Sequence, residues 1–150
     1  MTSKTHASLG LAVGCITNYF LPVADIYVVM SASVIGSLLP DLDTQKSDPS
    51  QIFPPISKIV DRFTKHRGAT HTVAPLLFIM LYMVFGHLYL LCLGLGALSH
   101  ALIDYITYKL YIRCNSKGEV ILYYIFWIFN VIYIINLIYQ KIYIKILASL

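Results

Sequence analysis

The sequence predicts an all-α protein: a membrane-embedded helical bundle of four or five short spans, with one amphipathic helix on the membrane surface. Two observations carry this expectation. Hydrophobic residues fill 58% of the 150 positions and charged residues only 12%, whereas a soluble domain carries roughly 45–50% apolar residues, glycine included, and about 25% charged ones. The apolar residues also gather in five segments, Thr5–Leu21, Ile26–Pro40, Thr70–Phe85, Leu88–Asp104 and Val120–Tyr139. Such a chain could not cover its surface with polar groups as a soluble monomer, and it is far too apolar to be disordered. Its length suits one domain.

The elements follow in order. A spanning helix needs about 17–25 residues, so the first, fourth and fifth segments fit easily, while the second and third suit a thinned bilayer or a buried position. The first segment is preceded only by Lys4 and ends in no convincing cleavage site, so it reads as retained. Pro22 and Asp25 separate segments one and two, Pro40 closes segment two, and Gly86-His87 separates segments three and four. Between Asp41 and Ala69 a polar loop precedes Ile56, Ile59, Val60 and Phe63, which recur at helical spacing with Lys58, Asp61, Arg62 and Lys65 on the other side. That pattern is a short surface helix stopped by Gly68. The second polar loop, Lys109–Glu119, contains Asn115-Ser116-Lys117-Gly118 and predicts a hairpin turn between short strands. Cys15, Cys92 and Cys114 form no CxxC pair, which argues against a disulfide framework or a thiolate zinc site.

Charge placement orients the bundle. If all five segments span, the N-terminus and both polar loops share one side. That side holds Lys4, Lys46, Lys58, Arg62, Lys65, Arg67, Lys109, Arg113 and Lys117, leaving only Lys141 and Lys145 opposite. The positive-inside rule makes it cytoplasmic.

The same topology gathers groups able to bind a metal. His6 precedes the first span, Asp41 and Asp43 follow the second, His66 and His71 precede the third, and His100 and Asp104 close the fourth. Seven potential ligands from four segment ends therefore converge on the cytoplasmic face. His100 and Asp104 are four residues apart and share a helix face. Asp41 and Asp43 lie two apart, so in an extended segment both carboxylates reach one centre or two adjacent ones. Acidic groups packed this closely repel one another unless a cation neutralises them. Imidazole with carboxylate suits zinc, with manganese the alternative, in a centre of one to three ions. His87 falls at the opposite end and reads as an ordinary interfacial histidine.

Leu39-Pro40-Asp41-Leu42-Asp43, then His66-Arg67-Gly68-Ala69-Thr70-His71-Thr72, then Leu98-Ser99-His100-Ala101-Leu102-Ile103-Asp104, with Thr5-His6 ahead of a glycine-containing helix, together resemble the YdjM-like family of bacterial membrane-bound metal-dependent hydrolases. The resemblance covers about residues 1–106, which it marks as the metal-binding part. Residues 107–150 add a polar loop and a C-terminal membrane helix to the same domain. By its motifs the family is grouped with zinc-dependent phospholipase C and P1-type nucleases. It implies a multi-pass protein of the bacterial inner membrane that hydrolyses phosphoesters. It also implies His6, Asp41, His71, His100 and Asp104 as ligands, with Asp43 and His66 in supporting or second-metal roles.

On that reading a metal-activated water is the nucleophile, Asp43 or His66 is the general base, and Arg67 grips the phosphate. A site at headgroup depth points to membrane lipid as partner and a phospholipid or similar phosphoester as substrate. The basic loop serves nucleic acid equally well, and no obligate protein partner is implied. The alternative is a non-catalytic membrane protein that binds or senses a metal. Transport fits less well, because the mid-span polar residues Ser31, Ser33, Asn130 and Asn136 carry no ionisable group.

Overall fold

Long apolar runs in a membrane leave the backbone no hydrogen-bond partner but itself, and this chain answers with helices. The computed structural model describes residues 1–22, 25–63 and 69–148. Its elements are α1 (Ser3–Phe20), α2 (Ile26–Leu38), a 3-10 turn (Leu39–Asp43), α3 (Asp48–Ile52), α4 (Pro54–Phe63), α5 (Ala69–Phe85), α6 (Leu88–Lys109) and α7 (Lys117–Leu147). No strand occurs among the described residues. The protein is an all-α membrane helical bundle.

The termini of the helices follow local chemistry. Asp25 caps α2 by accepting the Tyr27 N–H at 2.8 Å. Gly86 ends α5 at φ +69°, a left-handed conformation that costs glycine little. The 109–119 loop corrects the hairpin expected there. Ser116 instead caps α7, accepting the Glu119 N–H at 3.3 Å, while the Glu119 carboxylate accepts the Asn115 N–H. Ser-x-x-Glu is a capping box, and that signal outweighs the turn residues.

Packing runs through α1, α2 and α6, which touch one another; α5 covers the outer face of α6 and α7 that of α1. Small residues set the distances, as expected where lipid removes the hydrophobic drive between helices. A Cβ on Gly96 would fall 2.2 Å from the Ser33 carbonyl oxygen, and one on Gly36 2.2 Å from that of Leu93. The α2 and α6 backbones are therefore in contact at both points. Alternating direction brings the start of α1, the end of α2, the start of α5, the end of α6 and the start of α7 to one end of the bundle.

Among the described residues, three stretches are long and apolar enough to cross a membrane by length and composition: Ile26–Asp43, Leu88–Lys109 and Lys117–Leu147. α5 is a shorter apolar helix of 17 residues, and α1 carries more polar residues. The buried stripe of α1 includes Thr5, His6, Ser8 and Thr17, so it serves as a polar core strut. The surface helix expected around residues 56–63 is α4, whose Ile56 and Ile59 stay exposed; Gly68, its expected stop, lies outside the described residues.

Gly96→Ala is expected to lower stability by about 1–3 kcal/mol, the usual cost of overpacking. The readout is the thermal midpoint of the full-length protein in detergent micelles, and an unchanged midpoint would contradict the close approach.

Candidate metal centre

Four elements deliver the six side chains of the site to the gathered end of the bundle. His6 lies in the first turns of α1, Asp41 and Asp43 in the 3-10 turn, His71 near the start of α5, and His100 and Asp104 one turn apart in α6. His6 and His100 stack with ring centroids 3.7 Å apart, and His71 meets His100 edge-on at 5.0 Å. Six of the seven expected ligands thus form one cluster. His66 and Arg67 lie outside the described residues. His87 caps the far end of α6 and stacks on Tyr89, about 25 Å along the helix from Asp104 at 1.5 Å per residue.

The hydrogen bonds fix which atoms face the centre. His100 Nδ1 lies 2.7 Å from the Ser37 carbonyl oxygen, which can only accept. Nδ1 therefore carries the proton, and in the neutral ring Nε2 presents a bare lone pair. That Nε2 is buried, has no hydrogen-bond partner, and sits 3.6 Å from Asp41 Oδ1. Lone pair facing carboxylate is repulsive unless a cation lies between them. A backbone carbonyl that orients the other ring nitrogen is the usual support of a metal-binding histidine. Neither ring nitrogen of His6 has a hydrogen-bond partner either, although the residue is only 1% exposed.

The gaps between donors point the same way. His6 Nε2 lies 3.4 Å from Asp104 Oδ1, and His71 Nδ1 lies 3.5 Å from Asp43 Oδ2. These exceed good hydrogen-bond lengths. Two donors about 2.0–2.2 Å from a tetrahedral zinc stand roughly 3.3–3.6 Å apart. His6, His100 and Asp104 each offer a ligand atom, all within 4.8 Å of one another, and form a His/Asp group able to hold a metal ion. The residues present fit such an ion.

The 3-10 turn changes how the two aspartates act. In place of an extended segment with both carboxylates on one side, Asp41 faces His100 and Asp43 faces His71. Asp43 is 1% exposed and is held by the Thr70 hydroxyl at 2.7 Å and that of Thr44 at 3.0 Å. Thr70, in the first turn of α5, thus spends its hydroxyl on this carboxylate. Sequence reasoning missed the Ser37 carbonyl and Thr44, which carry no pattern of their own.

Glu119 was also missed as a part of the site's frame, though the capping box could have exposed it. It is 2% exposed, and its carboxylate accepts the Thr2 N–H and, at 3.1 Å, the Thr5 hydroxyl. This latch fixes the residues just before His6. The centre opens on one side only partly, where Asp41 and Asp104 are 17% and 12% exposed. They line a polar cavity of about 330 Å³ with Thr2, Lys46, Asp48 and Cys114.

A family model described as YdjM inner membrane protein matches residues 1–111, the stretch that holds α1 to α6 and every side chain of the cluster. Uncharacterized protein YvsG of Bacillus subtilis (strain 168) is 30% identical over 110 residues, 69% of this chain and 66% of its own length. The chain therefore spans just under two thirds of that relative. No solved structure matches the chain.

Protein purified after zinc loading is expected to retain metal, with Asp41→Ala and His100→Ala losing it and His87→Ala keeping it, as read by elemental analysis. Thr70→Val is expected to weaken metal affinity about 10- to 100-fold, the usual range for a supporting hydrogen bond. Equal metal content in all four variants would rule out a shared centre.

Proposed function

Because the chain belongs to the YdjM inner membrane protein family, we propose that it is a membrane-bound metal-dependent hydrolase of phosphoesters, with zinc as the ion, and manganese as the alternative, on the cytoplasmic side. The observation that carries this reading is the bare His100 Nε2 facing Asp41 across 3.6 Å, its tautomer set by Ser37. His6, His100, Asp104 and Asp41, supported by Asp43 and His71, would hold a divalent ion, which would supply Lewis acidity and lower the pKa of a water.

The chain's own residues do the rest. In phosphoester hydrolysis a water oxygen forms the new P–O bond, the bond to the leaving oxygen breaks, and a proton ends on that oxygen. Asp43 is the base that takes the water's proton. Its orientation is fixed by Thr70 and Thr44, so little reorganisation accompanies the transfer. The resemblance assigns His66 the role of a second proton carrier and Arg67 that of a bidentate phosphate grip. Lys46 on the cavity wall adds positive charge where an anionic substrate enters. The three motifs resemble the YdjM-like family, and its grouping with zinc-dependent phospholipase C and P1-type nucleases supports a phosphoester as the bond cleaved. The excess of basic residues at the site end supports the cytoplasmic orientation.

Purified protein with zinc or manganese is expected to release nitrophenol from a simple nitrophenyl phosphodiester. Asp43→Asn should reduce the rate about 10²- to 10⁴-fold, the span attributed to a general base, and His100→Ala should abolish it. Metal-replete protein that cleaves no phosphoester would overturn the reading.

A further inference from the structure

A second cavity adjoins the polar one. It has a volume of about 320 Å³ and lies between the start of α1, the last turns of α2 and the short helix α3. Its walls are almost wholly apolar, built from Ala7, Ile35, Leu38, Leu42, Ile52 and Phe53. Ile35, Ile52 and Phe53 are each more than half exposed, so the chain itself leaves this groove open. Ser3 and Asp48 line both cavities, so the two adjoin, with Asp41 and Asp104 on the polar one and Phe53 on the apolar one. Lys4 lines the groove and Lys46 lines the polar cavity.

We infer that this groove holds one acyl chain of a phosphoester lipid whose headgroup occupies the polar cavity; the assignment rests on the hydrolase reading and narrows its substrate class to amphiphiles. The shape selects the occupant. A groove of about 320 Å³ with almost wholly apolar walls suits an unbranched hydrocarbon chain. The two cavities together fall within the range of roughly 300–1,000 Å³ usual for small-molecule sites. One lysine on each cavity adds positive charge that complements a phosphate, while Asp41 and Asp104 belong to the metal centre. The end of α2 forms one wall, so a chain can enter from the bilayer without crossing water.

The test uses full-length protein in maltoside micelles with zinc, carrying Phe53→Trp in a Trp127→Phe background. The probe is a lysophospholipid with a brominated acyl chain, and the control is a brominated alkyl maltoside without phosphate. Saturable quenching by the lysophospholipid is expected, reversed by its unbrominated form, with non-saturable quenching by the maltoside. Adding Ala7→Phe, which fills the groove, or Ile52→Asp, at an exposed position that folding tolerates, should weaken the saturable phase at least tenfold. Quenching that is linear, equal for both probes and unmoved by Ile52→Asp would overturn the inference. Binding needs no turnover, so metal-replete protein that cleaves no phosphoester, with or without an acyl chain, would remove the hydrolase reading while leaving this readout intact.

Discussion

The bond from His100 Nδ1 to the Ser37 carbonyl is the interaction on which the centre depends, and it exists only because α2 and α6 touch. Gly96 lies one turn before His100, and its missing side chain lets the α6 backbone rest against Ser33. At that distance the carbonyl one turn further along α2 meets the imidazole at 2.7 Å. The consequence is electronic as well as geometric. A ring committed as donor at one nitrogen must be acceptor at the other, and the acceptor faces carboxylate. A buried arrangement of lone pairs against negative charge is stable only around a cation.

The rest of the bundle supports this end. Helices in lipid gain little from burying apolar surface against each other, so polar contacts and close backbones hold them. Here Asn130 of α7 donates to the Ser8 carbonyl of α1 at 3.0 Å, Asn18 of α1 donates to the Tyr133 hydroxyl at 3.0 Å, and Glu119 ties α7 to Thr2 and Thr5. The outer faces carry isoleucine, leucine and tyrosine, left exposed by the chain itself and suited to hydrocarbon. Stability and site assembly thus share one set of contacts. The elements that fix the metal-competent side chains are the same ones that seal the bundle's polar core.

Much of this was legible in the sequence, because apolar runs broken by proline and glycine define helices without tertiary information. The ends of α2 and α5 and the starts of α2, α5 and α6 fall within about two residues of the expected limits. Convergence of the ligands was legible for a topological reason: alternating spans return every second end to the same face. What the residues alone did not reveal was local. The Leu39–Asp43 turn sends Asp41 and Asp43 to different histidines, and 3-10 geometry at a proline has no periodic signature. The Ser37 carbonyl is invisible because every residue has one. The 109–119 loop misled because Asn-Ser-Lys-Gly looks like a hairpin turn until the glutamate after it is read as a capping partner.

Zinc-edge X-ray absorption of the metal-loaded, full-length protein tests the central claim most directly. The account predicts a first shell of nitrogen and oxygen only, at about 2.0–2.2 Å, with outer-shell imidazole scattering that diminishes in His100→Ala. A sulfur shell at about 2.3 Å, or a spectrum indifferent to His100→Ala, would contradict it.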